Sequence, residues 1–447
     1  MGVEVVGKRN TAVKVKLGEL SLQDVDKAGP TNCEDFIYVD ISSVDRETKK
    51  VYDAKRLPIS EAPSRAKQVL RTDDVIVSMT RPNLNAVAKI TPSLDGAIGS
   101  TGFYVIRSEF IEPDFVYYLV QSRSFVEAMC RCVQGALYPA VRPSDISSFE
   151  FLFPPRLEQQ RIVAKIEELF SELDKGVESL RTAQQQLKVY RRALMNDVLK
   201  AKSHSGNLTV PLSNLIGRIN QGWSPKCELN RQAADGEWAI IKTTAVQPMQ
   251  YRQEECKPLP KNFDPRPDIE IKAGDFLMTR KGPRNRTGVV CLVEATRSKS
   301  MLCDTVYRFR CDETKIYPKY LELVLNSPAV VAELDRRKSG ISDSGISLNH
   351  SKLKSLPILV IGSITTQKDV VAEVEKKLER ISVMETEISH SLLKTEALRQ
   401  SILEKAFSGQ LVPQDPNDEP ASVLLERIRA ERAAQPKARG RKARASA

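Results

Sequence analysis

Residues 154–166 read Pro154-Pro155-Arg156-Leu157-Glu158-Gln159-Gln160-Arg161-Ile162-Val163-Ala164-Lys165-Ile166, and no further proline occurs before Pro211. Prolines at the entrance suit a helix start, because first-turn N–H groups lack intrahelical acceptors in any case. Downstream, apolar residues recur with four-three spacing at Ile162, Ile166, Leu169, Leu173, Leu180, Leu187 and Leu194. The same register places Gly176, Ala183, Tyr190 and Asp197 on the seam. This is the pattern of a helix buried along one narrow stripe against another helix. About forty residues at ~1.5 Å each make a rod of roughly 60 Å, longer than a globular domain needs inside it, so the stretch reads as a spacer.

The rod has a twin. Gln367-Lys368-Asp369-Val370-Val371-Ala372 aligns with Gln159 through Ala164 at an offset of 208 positions, and the second seam runs through Val370, Val374, Ile381, Met384, Ile388, Leu398 and Ile402. Lys377, Ser391 and Thr395 interrupt it. Both rods stop at similar words, Ser205-Gly206-Asn207-Leu208 and Ser408-Gly409-Gln410-Leu411. Glycine just past the last turn is a helix C-terminal signal. Gly176, in mid-helix, costs about 1 kcal/mol of propensity against alanine and is expected to permit close approach of the partner helix.

The duplication extends beyond the rods. Val15-Lys16-Leu17-Gly18-Glu19-Leu20 matches Val210 through Leu215. Pro113-Asp114-Phe115 and Ser122 recur 205 positions later at Pro318-Lys319-Tyr320 and Ser327, and Gly135 recurs at Gly340. Strand-like stretches at Phe36–Ile41, Asp74–Met79, Ala86–Ala88, Phe103–Ile106 and Phe149–Phe153 surround one expected helix from Pro113 to about Arg131. A period near 200 is too long for a solenoid and indicates duplicated domains. The expected fold class is α+β: two pseudo-repeated mixed α/β domains separated by two long antiparallel coiled-coil helices. The segments are 1–153, 154–204 (central helix), 205–361, 362–412 (C-terminal helix) and 413–447. In the last, Leu424, Leu425 and Ile428 suit one short amphipathic helix, and Lys437, Arg439, Arg441, Lys442 and Arg444 suit a disordered basic tail.

Across 447 residues, 68 basic against 57 acidic side chains leave a net charge of +11, which suits a polyanionic partner. Apolar runs such as Ile358-Leu359-Val360-Ile361 are too short to span a bilayer, and no signal-peptide pattern opens the chain, so cytoplasmic residence is the expectation. The eight cysteines form no C-x-x-C pair, and His204, His350 and His390 lie far from them in sequence, which leaves no metal-ligand spacing. No G-x-x-x-x-G-K-[ST] phosphate cradle occurs. Pro267-Asp268-Ile269-Glu270-Ile271-Lys272 has nuclease-like residue types, but its carboxylates are only two positions apart and the stretch equally suits a strand entry.

Two rods joined through intervening domains bury their seams best when antiparallel, with approximate two-fold symmetry. Duplex DNA has its own backbone dyad, so such a protein is suited to place two reading heads on two short sequences separated by a gap. Here the chain resembles the specificity subunits of type I restriction–modification systems. The resemblance is carried by the domain–helix–domain–helix order, by Leu152-Phe153-Pro154-Pro155-Arg156-Leu157-Glu158-Gln159-Gln160-Arg161 and Ile364-Thr365-Thr366-Gln367, by Ala406-Phe407-Ser408-Gly409-Gln410-Leu411-Val412-Pro413, and by Asp418-Glu419-Pro420-Ala421-Ser422-Val423-Leu424-Leu425-Glu426-Arg427-Ile428. The second rod departs from the pattern, because Gly362-Ser363-Ile364-Thr365-Thr366 stands where prolines and a glutamate are usual. The resemblance implies two target recognition domains, a helical ruler that docks two modification (methyltransferase) subunits, and restriction (translocase and nuclease) subunits joining the complex. It also implies no cofactor on this chain, with S-adenosylmethionine, ATP and Mg on the partners. In agreement, the chain has no Asn or Asp followed by Pro-Pro and an aromatic, the word of adenine methyltransferases.

Arginine grips guanine O6 and N7 in a forked geometry, asparagine or glutamine suits adenine, and other cations neutralise phosphate. The polar loops of the two heads therefore supply the candidate double-stranded DNA contacts. In the first head these are Arg81, Asn83, Asn85, Gln134, Tyr138 and Arg142. In the second they are Arg280, Lys281, Arg284, Asn285 and Arg286, with Ser342, Ser344 and Asn349 nearby. Ile162, Ile166, Leu169, Leu173, Leu180, Val370, Val374, Ile381 and Ile388 are expected as structural seam, each worth about 1.5–3 kcal/mol when buried. The competing readings are a self-sufficient nuclease or methyltransferase, against which the missing motifs argue, and a coiled-coil scaffold without DNA function, against which the two domains with basic loops argue.

Overall fold

In the computed structural model, residues 12–21, 25, 29–30, 34–107, 110–134, 139–201, 207–227, 231, 233–340, 342 and 345–434 are described. The basic tail beyond Gln435, the Ser205-Gly206 stop, Tyr138 and Ser344 lie outside them. The architecture is mixed helix and sheet, dominated by two helices, Arg156–Ala201 and Ile364–Phe407. At 46 and 44 residues these are about 70 and 65 Å long. Contacts divide the chain into two units, Met1–Ser179 with His390–Ala447, and Leu180–Ser389.

In the first unit, Val75–Ser78 sits between Phe103–Ile106 and Val87–Lys89 in an antiparallel sheet. A four-stranded sheet beside it runs in the order Lys55–Pro58, Asp35–Val39, Ile98–Ser100, Ala66–Val69, with one parallel pair, Asp35–Val39 with Ile98–Ser100. Val13–Lys16 pairs with Glu150–Phe153 and brings the start of the domain to the entry of the long helix. Pro113–Leu119 and Arg123–Arg131 are two helices where one was expected, because the Ser122 hydroxyl accepts the Phe125 N–H at 3.4 Å and starts a new helix. Such a cap satisfies a first-turn donor that would otherwise lack a partner.

The second unit repeats these devices. Phe276–Thr279 lies between Val306–Phe309 and Val290–Leu292, and Leu208–Pro211 pairs with Pro357–Val360. Ala239–Ile241 carries the parallel pairing, to Ser300–Met301. The Ser327 hydroxyl accepts the Val330 N–H at 3.4 Å and separates Pro318–Leu325 from Pro328–Arg337, as Ser122 does in the first unit. Glu322, buried on the first of these helices, accepts the Leu292 N–H at 2.7 Å. Burial outweighs that bond and raises its carboxyl to about 7, helped by the nearby Glu294.

A glutamine at the head of each long helix joins it to its domain. Gln159 accepts the Glu112 N–H at 3.0 Å and donates to the Pro154 carbonyl at 2.9 Å. Gln367 accepts the Tyr317 N–H at 2.8 Å and donates to the Ile361 carbonyl at 3.2 Å. Both side chains are buried. The two helices were thus recognisable as a pair from the residue that carries their first structural task.

Within the first unit the helices oppose each other. Arg161 meets Asp418, just beyond the end of the second long helix, at 3.2 Å, while Asp174, further along the first, pairs with Arg399, earlier in the second. Arg399 also lies 4.7 Å over the Phe170 ring. In the second unit Arg191 pairs with Glu385 at 3.2 Å. Charge favours this orientation. Residues 156–179 carry six acids and four cations against three cations and two acids in 390–407, while 180–201 carry five cations and one acid against six acids and four cations in 364–389. A parallel pairing would set the acidic stretches on each other, and like charges repel across such a seam.

Ile162, Ile166, Val370, Val374 and Ile381 are buried, whereas Leu169, Leu173, Leu180 and Ile388 are half-buried. Met384 and Leu398 are about half exposed, at 50% and 49%, in contrast to a seam buried throughout. The buried positions belong to the domain cores, while mid-helix positions have only the opposite helix to cover them. A Cβ at Gly176 would meet nothing within 4 Å, so this glycine does not serve a close helix approach. The final helix, Ala421–Ala434, packs Ala421, Leu425 and Ile428 into the first unit's core. It is fastened by Arg429 to Glu19 at 2.8 Å and by Arg432 to the Gly18 carbonyl at 3.2 Å.

Candidate nucleic-acid interface

In each unit the loop after the central strand meets a segment returning just before the last strand. In the first unit the Arg81 N–H donates to the Pro139 carbonyl at 2.8 Å, and Val141 N–H to Met79 O at 2.9 Å. Ala140 bridges both Thr80 and Gln134. These bonds gather Arg81, Gln134 and Arg142, which the sequence places up to 61 positions apart. Arg81 and Asn85 both adopt left-handed backbone, with φ of 49° and 43°, and flank the short turn Pro82–Leu84. That conformation lifts Arg81 and Asn83 to the surface while Pro82 stays buried. Asn85 is half-buried, and its carbonyl accepts the Lys49 ammonium at 2.7 Å. Burial lowers the pKa of Lys49, with Glu396 and Asp45 opposing. Arg142 is exposed and precedes the helix Pro143–Ser147, where its N–H donates to Asp145 at 2.7 Å.

In the second unit Lys281–Gly282 pairs with Ile346–Ser347, and Leu348 N–H donates to the Arg280 carbonyl at 2.9 Å. Ser339 and Ser347 exchange backbone bonds at 2.9 and 2.8 Å, and the Gly345 N–H donates to the Ser342 carbonyl at 3.0 Å. Gly340 is required there, because a Cβ would fall 2.7 Å from the Gly345 carbonyl.

The cations of this loop have unequal freedom. The Arg286 guanidinium donates to Gln247 Oε1 at 3.1 Å, Thr243 O at 3.1 Å and Val246 O at 2.8 Å, which commits it to holding a neighbouring turn. Arg280 donates to the Asp304 carbonyl at 2.7 Å and lies 5.4 Å from the Tyr307 ring centroid. Arg284 pairs with Asp335 at 2.8 Å across exposed surface, a contact worth at most about 1 kcal/mol and easily exchanged for another anion. Lys281 and Asn285 are exposed. Asn349 accepts the Lys352 N–H at 2.9 Å and caps the helix His350–Lys354. Burial, then Lys354 and Arg280, hold the adjacent His350 below the ordinary histidine pKa.

The nuclease-like fragment is used structurally. Glu270 accepts the Lys299 N–H at 2.8 Å, and the Asp268 and Glu270 carbonyls accept from Arg308 at 2.9 and 2.6 Å. Among the described residues no cluster of three or more His, Cys, Asp or Glu is placed to hold a metal ion. Nor is any helix there long and apolar enough to cross a membrane. One cation–aromatic stack, the exposed Arg266 over the half-buried Trp223, lies outside the loops named from the sequence; its signal was a tryptophan set in the polar stretch Gly222-Trp223-Ser224-Pro225-Lys226.

No family model matches the chain. Over 164 residues it is 39% identical to the specificity subunit of the type I restriction enzyme EcoEI of Escherichia coli, a match that spans 37% of this chain and only 27% of that relative. It is 24% identical over 391 residues to the EcoKI specificity subunit of Escherichia coli strain K12, and 23% over 390 residues to the StySPI specificity subunit of Salmonella potsdam. These two alignments each cover 82% of both chains. Among solved structures, the HsdS subunit from Thermoanaerobacter tengcongensis is 25% identical with a TM-score of 0.53, over 90% of this chain and 98% of that one. A chain solved in work on complex assembly and conformational transition of the type I R-M system superposes with a TM-score of 0.71 at 24% identity, over the same shares.

Proposed function

We propose, on the premise that the chain is a specificity subunit of the type I restriction–modification family, that each of its units reads one half of a bipartite, asymmetric DNA site. The subunit is non-catalytic. It acts with modification subunits that bring S-adenosylmethionine and with restriction subunits that bring ATP and Mg. The observation that carries this reading is the repetition of one loop pair, residues 80–85 with 134 and 139–142, and residues 280–287 with 339–340 and 345–349, on two domains each tied to a long helix by the same glutamine clamp. The loop residues differ between the copies, so the half-sites differ. In this reading the paired helices set the gap and dock the modification subunits. Apolar residues left exposed on them support docking: Val189, Tyr190, Val383 and Met384 in the second unit, and Leu393 and Leu398 in the first.

The heads should be separable by mutation. With its modification subunits, Asn83→Ala or Arg81→Ala relaxes discrimination in one half-site only. Asn285→Ala or Arg284→Ala does so in the other. Each lost base contact costs about 1–3 kcal/mol of discrimination, or roughly ten- to hundredfold. Sequencing of methylated positions in a random duplex library checks this; substitutions in one head that blur both half-sites would contradict independent heads.

A further inference from the structure

The second unit carries exposed cations around a half-buried tryptophan, joined by hydrogen bonds to its reading loop. The Trp223 N–H donates to the Leu302 carbonyl at 3.0 Å. A Cβ on the preceding Gly222 would fall 2.0 Å from that same carbonyl, so only glycine lets the segment lie this close and hold the indole in place. Phe263 packs edge-on against Trp223 at 5.3 Å, and the Arg266 guanidinium lies 4.0 Å over the indole centroid. Arg266, Lys226 and Lys261 are exposed, and none has a carboxylate or carbonyl partner for its side chain among the described residues. Asp264 and Asp268 share the loop, so these five charges sum to one positive.

Two hydrogen bonds connect this surface to the reading loop. Ser224 Oγ accepts the Asp304 N–H at 3.2 Å, and the Asp304 carbonyl accepts from Arg280 at 2.7 Å. The loop itself commits Arg280 and Arg286 internally and leaves Lys281 and Arg284 as its available cations, so a duplex seated on it would bring further phosphates to the neighbouring surface. An arginine stacked on an indole is weakly hydrated and pre-ordered, which suits a forked contact to phosphate.

We infer that Arg266, held on Trp223 and flanked by Lys226 and Lys261, contacts the phosphate backbone of the duplex read by the 280–287 loop. This rests on the DNA reading proposed above. A phosphate contact fixes position and carries no sequence information, and each one removed lowers the slope of log affinity against log salt by ~0.9. The test is fluorescence anisotropy of the full chain on a labelled duplex between about 50 and 200 mM salt, for the wild type, Arg266→Gln and the double variant Lys226→Gln/Arg266→Gln. The expected slopes fall by ~0.9 and then by ~1.8, with unchanged thermal melting and, in the assembled complex, an unchanged pattern of methylated positions. Slopes equal to the wild type in both variants overturn the inference while leaving DNA binding intact, and a changed methylation pattern overturns the phosphate assignment. A wild-type chain whose DNA binding ignores salt would sink the DNA reading itself, and this inference with it.

Discussion

Gln159→Ala is expected to destabilise the first unit, and Gln367→Ala the second, by about 2–6 kcal/mol each. In either case the side-chain amide is buried and bridges two backbone groups, Glu112 N–H and Pro154 O, or Tyr317 N–H and Ile361 O. Truncation leaves one donor and one acceptor buried without a partner, and each such group costs about 1–3 kcal/mol. The same amide links the first turn of the long helix to the residue just before a domain helix, so the variant also loosens that joint. Urea unfolding of the full chain, followed by probes in each unit, checks the prediction. Only the mutated unit's transition should move, and a shift below about 1 kcal/mol would mean that the amide contributes little more than an ordinary hydrogen bond.

The second large effect is expected at a buried ion pair. Arg107 binds Asp74 in two places, at 2.7 and 2.6 Å, and also donates to the Val69 carbonyl at 2.9 Å. Asp74 further accepts the Arg71 N–H at 2.8 Å. The side chains are 11% and 1% exposed. Removing one member of such a pair strands the other and costs about 3–5 kcal/mol, so Arg107→Ala should strongly destabilise the first unit. Arg310 and Asp275 are the counterpart, at 2.7 Å, but Arg310 is 57% exposed. Asp275 is itself only 4% exposed, so Arg310→Ala also strands a buried carboxylate, but water already reaches the guanidinium and can enter beside it, and the loss should be smaller than for Arg107→Ala, about 1–3 kcal/mol. Denaturant titrations of both variants give the comparison, and equal losses would show that burial does not set the difference.

The long helices were legible because their apolar spacing is local and their entries share a glutamine whose role recurs. Ser122 and Ser327 were legible as a repeated pair, though not as helix starts, since a cap is visible only once both flanking helices are known. Strand pairing was less legible. Val13–Lys16 finds Glu150–Phe153 across most of a domain, and Ala239–Ile241 runs parallel to Ser300–Met301, choices governed by packing that no local pattern carries. The loops were found but not sorted. Arg280, Arg284 and Arg286 look alike in sequence, yet Arg286 is held by carbonyls 40 and 43 positions away, Arg280 by one 24 positions away, and Arg284 by an exchangeable surface pair. Gly176 and the exposed Met384 and Leu398 mark the opposite error: a seam register identifies which residues face a partner helix, not how completely one helix covers another.

In the proposed function the length of the paired helices sets the gap between half-sites. Four residues inserted in register into each long helix, between 179 and 180 and between 389 and 390, add about one turn, roughly 5–6 Å. With modification subunits present, methylation mapping across a library of gap lengths should then show the same two half-sites separated by one or two more base pairs, at ~3.4 Å each. Methylation that keeps the wild-type gap would show that the helices do not set it.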